Sequence, residues 1–359
     1  MANRGLSARL RRAITGLALI ALVVPVTGAA DSAVQTITFN AWANVGSRVV
    51  FQGIIGKKSG NWTWRPGART AKRIAAPFCN GGGEATLAFG PKGSIGCLDL
   101  GVGMSEISYY VSVLTSGGKA RTATSISDSV DENGNVSSSE SIPAIFGDGK
   151  FLGYLHVSSD GSSVELVRIL ANGSSRQVAE LQDVVSPGEK PIYEAKVDNG
   201  HIVIRQGNDV YVYTTSGKHM ATISGKVAMR VRSTIAIRKN RVVVLTTGRR
   251  INAYTLRGRL VHSYPVRAAQ PGDLATYYGF AVYTTSHADS APVHSTLRVL
   301  KLSTGKDRVV TKSGKSWFMN GASIQAPGIL VPVTTLRGKQ FYTRFRFVTM
   351  AKVRAAFAR

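Results

Sequence analysis

Arg249, Arg250, Arg257 and Arg259 stand close together in a stretch that, between Asp209 and Asp273, carries twelve Lys or Arg and no acidic residue. Arginine stays charged at any working pH, and several such charges acting on one polyanion add up although each contributes little alone. The four arginines are therefore the expected ligand contacts. A second acid-free run follows Asp307, whereas Asp128–Asp198 holds twelve of the twenty acids and only five Lys or Arg. With a formal net charge of +25, the chain is expected to be electrically lopsided and to meet an anionic polymer or a protein partner. A merely solvated basic strand face is the blander account of the same residues.

Other residue sets are weaker candidates. Counted from Ser129, a polar loop ending near Glu140 places oxygen-bearing residues, Asp131, Asn133 and Glu140 among them, at positions that calcium loops use. Its first residue is Ser instead of Asp and flanking helices are absent, so a surface insertion turning at Asn133-Gly134 is the simpler account. Calcium is the only cofactor suggested. His287, Asp289 and His294 share one loop and have donors for a metal or for acid–base work, but their spacing fits no helix or strand metal motif. His156, His201, His219 and His262 are scattered one to a hairpin. No Gly-x-Ser-x-Gly elbow is present, and Gly81-Gly82-Gly83 follows no βα unit, so neither that nucleophile nor a phosphate loop is indicated. No recognition helix, zinc module or aromatic ribonucleoprotein motif points to nucleic acid.

The elements that position these residues are strands. Val210-Tyr-Val-Tyr-Thr-Thr-Ser-Gly217-Lys218, Ile251-Asn-Ala-Tyr-Thr-Leu-Arg-Gly258-Arg259 and Leu297-Arg-Val-Leu-Lys-Leu-Ser-Thr-Gly305-Lys306 share one pattern: an alternating strand, then a glycine turn beside a basic residue. Looser copies turn at Gly67, Gly118 and Gly173, so successive turns lie 41 to 55 residues apart, room for about four short strands. Runs before Gly161, Asp209 and Gly248 read as the partner strand of the hairpin that follows. Valine, isoleucine, threonine and tyrosine dominate, which suits pleated surfaces buried between neighbouring sheets. Tyr211, Tyr213, Tyr254, Tyr277 and Tyr278 read first as blade packing and second as stacking surfaces. The expected fold is all-β: a β-propeller of about seven four-stranded blades, six being the alternative. Its last blade spans Ser323–Phe347, completed from the N-terminus by Val34–Phe39, which would remove both open edges. A short basic tail, Met350–Ala358, is the one helical candidate.

The repeated strand, Ser/Thr/Arg-Gly-Lys/Arg turn and strand resembles the blades of secreted TolB-like and WD40-like β-propeller proteins, over about residues 110–310. It departs from true WD40 repeats in lacking any Trp-Asp dipeptide, and only Leu302-Ser-Thr-Gly305-Lys306 is similar to a quinoprotein-type turn, so no quinone is implied. The resemblance implies architecture, and that architecture hosts binding platforms and enzymes alike.

Arg4, Arg9, Arg11 and Arg12, the apolar run Ala13–Val26 and the small residues after it have the order of a secretory signal peptide, cut after Ala29 or Ala30. The run is too short for a typical membrane span. An uncleaved anchor is the alternative. Residues 31–359 then form one domain, secreted or held at the cell envelope, where Cys79 and Cys97 would pair as a disulfide. The expected role is a non-enzymatic binding or scaffold module. The alternative is a hydrolase or lyase whose residues converge on a central channel, one from each repeat, leaving no spacing signature.

Overall fold

The computed structural model describes residues 30–31, 39–45, 48–75, 78–79, 84–103, 106–129, 140–181, 184, 191–225, 227–228, 233–266, 271–287, 294–314, 317–319, 322–325, 328–337 and 340–358. Alternation along the strands has a direct packing consequence. In the blade strand Asp209–Thr214, Val210 and Val212 enter the core shared with the following blade, while Tyr211 and Tyr213 enter the core shared with the preceding one. The paired strand His201–Gln206 divides likewise, Val203 facing forward and Ile202 and Ile204 facing back. A period of two thus gives each sheet two apolar faces, and each face needs its own neighbour. Seven cores result, each lying between two successive sheets, the seventh joining the last to the first.

Each of the first six sheets is an antiparallel meander, its strands taken in chain order from the central axis outward. Blade 1 comprises Phe39–Val45, Arg48–Ile55, Lys58–Trp64 and Lys72–Arg73. Blade 2 comprises Glu84–Phe89, Ile95–Val102, Glu106–Leu114 and Ala120–Ser129, and blade 3 Ser141–Gly147, Leu152–Val157, Val164–Ile169 and Ser175–Glu180. Blade 4 runs through Ile192–Asp198, His201–Gln206, Asp209–Thr214 and His219–Ile223, and blade 5 through Ile235–Arg238, Arg241–Leu245, Arg250–Thr255 and Leu260–Pro265. Blade 6 holds Pro271–Tyr277, Phe280–His287, His294–Lys301 and Lys306–Lys312. This is the seven-bladed propeller expected from the repeats.

Blade 7 differs at both edges. Its inner strand is interrupted, Trp317–Met319 and Ser323–Gln325 pairing in turn with Gly328–Arg337, which pairs with Gln340–Thr349. Its outer strand is Ala30–Asp31, with Ala30 opposite Phe347 and Asp31 opposite Arg346. The expectation that Val34–Phe39 completes this blade is therefore corrected: Phe39 opens the inner strand of blade 1, because that sheet needs its own axial strand. The helix Met350–Ala358 follows directly, burying Val353 and setting Phe357 5.6 Å from the Phe280 ring.

The six turn glycines, Gly67, Gly118, Gly173, Gly217, Gly258 and Gly305, each join the third strand of a blade to its fourth, with φ from 68° to 90°. Only glycine occupies that left-handed region at no steric cost. Cys79, just before blade 2, is disulfide-bonded to Cys97 on the second strand of that blade, with 5.6 Å between their Cα atoms, inside the core between blades 1 and 2. Changing both to alanine is expected to lower stability by about 3 kcal/mol from loop entropy alone. Thermal unfolding of the two chains measures it; equal midpoints would contradict the assignment of a structural bridge.

Candidate ligand site at the channel mouth

Alternate strands run in opposite directions, so the first and third turns of every blade lie at one end, and the second turn and the connector to the next blade lie at the other. The inner strands enclose a central cavity of about 410 Å3 lined by residues from all seven blades, Ala88, Phe146, Val197, Ile237 and Ile324 among them. At the end bearing the first turns it adjoins an open cleft of about 660 Å3, lined by Val45, Asp148, Lys150, Asp198, Asn199, His201, Arg238, Lys239, Asn240, Tyr277 and Tyr278.

Hairpin turns put these side chains there. Asn199-Gly200 has φ of 49° and 81°, as a two-residue turn that follows strand twist requires, and Asn-Gly is the favoured pair for it. Tyr278-Gly279 repeats the turn at 40° and 80°. A left-handed backbone costs a bulky residue such as Tyr278 roughly 1–2 kcal/mol, and its side chain is 53% exposed. Its ring meets Tyr277, Arg238 and Lys239 at the surface.

The carboxylates of the cleft are engaged from blade to blade. Asp148 Oδ1 accepts the N–H groups of Lys150 and Phe151 at 2.8 Å, and its Oδ2 accepts the Asn199 N–H of blade 4 at 3.1 Å. Asp198 accepts Arg238 Nη1 at 2.6 Å and the Lys239 N–H at 2.5 Å, both from blade 5. Arg238 then lies 4.9 Å over the Tyr277 ring and Lys239 Nζ 4.6 Å over that of Tyr278, with the two rings meeting edge to face. Lys150, Lys239, Asn240 and Tyr278 are exposed. At the opposite end, Glu194 clamps blades 4 and 5, accepting Ser233 Oγ at 2.6 Å and the Thr234 N–H at 2.9 Å.

The arginines singled out from the sequence are divided by this topology. Arg249 and Arg250 occupy the second turn of blade 5, Arg257 and Arg259 its third, and the strand Arg250–Thr255 between them spans roughly 20 Å. All four are exposed, but they form two pairs at opposite ends of the blade, and Arg250 donates to Ser263 Oγ at 2.6 Å. The third turns also carry Arg65, Lys119 and Lys218, whereas the second turns mix Lys57, Lys58 and the Arg249–Arg250 pair with Glu106, Asp160 and Asp209. The charge imbalance between sectors is thus also one between blade ends. Asp131 and Asn133 of the calcium candidate lie outside the described residues, as does Asp289. His287 and His294 are direct register partners. Among the described residues, no group of three or more His, Cys, Asp or Glu is arranged to hold a metal.

Glu140 has a different partner. Its Oε1 lies 2.9 Å from His156 Nε2, while Glu165 Oε2 lies 3.0 Å from Nδ1, and Gln177 donates to the other Glu165 oxygen. Burial alone would lower the His156 pKa, but the hydrogen bonds and charges of Glu165 and Glu140 outweigh it and raise the value. A raised folded-state pKa gives stability that is complete below the unfolded value, about 6.5, and lost as pH rises through the folded one. His156→Gln is expected to flatten the fall in thermal midpoint above neutral pH. An unchanged pH profile would rule out the clamped imidazolium.

No protein-family model and no curated protein matches this chain. Among solved structures, the WD40 β-propeller domain of Doa1 is 11% identical, with a TM-score of 0.51 over 91% of this chain and 99% of that one. BamB from Moraxella catarrhalis is 9% identical, with a TM-score of 0.44 over 86% and 96%. The computationally designed Ika8 protein is 10% identical, with a TM-score of 0.49 over 90% and 98%. Likeness at this identity concerns the fold alone, and the fold is a β-propeller.

The cleft escaped sequence reading because five different blades supply its lining, each at or beside its first turn. Its signal is faint: Asp198-Asn-Gly, Arg238-Lys-Asn and Tyr277-Tyr-Gly end the inner strands of three successive blades. The same turns place Tyr277 in the packing role expected of it and Tyr278 outside it.

Proposed function

We propose that the chain is an exported, non-enzymatic binding module whose first- and third-turn end holds an anionic polymer or protein partner at the cell envelope. One observation carries the reading: Lys150, Lys218, Lys239, Arg257 and Arg259 are exposed at that end, while its aspartates, Asp148 and Asp198, are committed to N–H groups and to Arg238. Cations in excess at one end attract polyanions over about one Debye length, roughly 8 Å at physiological salt. The disulfide fits an oxidising compartment, and among the described residues no helix is long and apolar enough to cross a membrane. Signal cleavage after Ala29, one of the two expected cuts, keeps both residues of the closing strand.

The test is the salt concentration at which the mature chain leaves immobilised heparin. Changing Lys218, Arg257, Arg259 and Lys306 together to serine is expected to lower it clearly. Changing Arg249 and Arg250, at the other end, should lower it less. Equal elution of the third-turn variant and the unaltered chain would return these charges to a role in solubility.

A further inference from the structure

Within that surface, and resting on the anion-binding reading, the geometry points to the cleft at the channel mouth as a site for an acidic sugar, a pyranose unit bearing a carboxylate. The lining has both signs. Lys150 and Lys239 supply exposed cations, and Asp148, half-buried, supplies an Oδ2 that accepts one hydrogen bond, from the Asn199 N–H, whereas Asp198 is buried in its pairing with Arg238. A carboxylate oxygen has room for a second donor, which a sugar hydroxyl provides. A phosphate or sulfate offers acceptors alone and leaves that oxygen without a second donor, so a lining of this kind favours a hydroxylated ligand that also carries a charge. Asn199 and Asn240 add amides that both donate and accept.

Tyr278 supplies the remaining element. A strained, half-exposed aromatic residue stands where the hairpin would accept asparagine or glycine, and retained strain of this kind marks binding sites. Its ring offers apolar surface to the carbon face of a sugar and a hydroxyl at its tip, and it holds the Lys239 ammonium 4.6 Å away. The cleft, about 660 Å3 and open on one side, lies in the range of small-ligand sites, roughly 300–1,000 Å3, and takes a short oligomer entering from solvent.

The experiment is calorimetric titration of the mature chain with linear trigalacturonate, its methyl ester, tripolyphosphate and triglutamate. Trigalacturonate is expected to bind at least tenfold tighter than the uncharged ester and tighter than the other two. Lys239→Gln and Tyr278→Asn, the latter with a residue suited to the left-handed turn, are each expected to weaken it about tenfold, the scale of one hydrogen bond to a charged group. Lys57→Ser, on the second turn of blade 1 at the opposite end, should leave it unchanged. Equal binding of ester and acid, stronger binding of triglutamate or tripolyphosphate, or no effect of either cleft variant overturns the sugar site. Salt-dependent heparin retention separates the two readings: if it persists while the sugars fail, the basic surface stands without this site; if it is absent, both fall.

Discussion

Replacing Phe345 with alanine is expected to destabilise the protein by about 3–5 kcal/mol, the range for deleting a buried aromatic side chain. Phe345 is 1% exposed and belongs to the third strand of blade 7, and its ring meets three rings of blade 1: Phe51 edge-on at 5.2 Å, Trp42 at 5.9 Å and Trp64 stacked at 5.9 Å. It lies in the core where the last blade meets the first. Three aromatic partners cannot all move inward to fill the void, so most of the cavity cost persists. Thermal unfolding by calorimetry, with Phe345→Leu as the milder comparison, measures the effect. A midpoint for the alanine variant within a degree or two of the unaltered chain would show that the blades are held together elsewhere.

A loss of similar size, about 3–5 kcal/mol, is expected for Asp307→Ala, because a buried ion pair broken on one side leaves the other charge uncompensated. Asp307 accepts the Tyr283 hydroxyl at 2.6 Å and pairs with Arg298 Nη2 at 3.0 Å, with both charged side chains mostly buried. Burial, and then the hydrogen bond to Asp307, push the Tyr283 pKa up, which keeps the phenol protonated as the donor. Tyr283→Phe leaves the ion pair and removes the hydroxyl that donates to Asp307 and accepts from Arg298 Nε, and is expected to cost less, about 1.5–3 kcal/mol. Equal losses for the two variants would mean that Arg298 finds another partner when Asp307 is removed.

The repeat pattern was legible because each hairpin states it locally: a glycine whose backbone must be left-handed, after residues whose alternation matches two buried faces. The disulfide followed from two cysteines in one glycine-rich segment. Closure was not legible in detail, because Ala30–Asp31 is too short to show alternation, whereas Val34–Phe39 has the more strand-like composition. Glu140 looked like part of a calcium loop since its partner, His156, lies across a strand turn. The four arginines of blade 5 looked like one cluster because proximity in sequence conceals which end of a six-residue strand each one occupies. Tyr278 was read with Tyr277 as packing, and only the hairpin geometry separates them.

Pairing of Ala30 with Phe347 also orders the assembly of the molecule in time. The third strand of blade 7 keeps an unpaired edge until the N-terminal segment reaches it, and that segment waits through the making of every intervening blade. Contacts of such high sequence separation slow folding, since loop closure must precede the pairing that rewards it. A chain that leaves the cell unfolded meets this condition without risk, as both ends arrive before the ring can shut. Inside the cell the same half-closed intermediate would offer its edge to other chains. The seam between the last blade and the first is thus the place where premature folding and aggregation would compete.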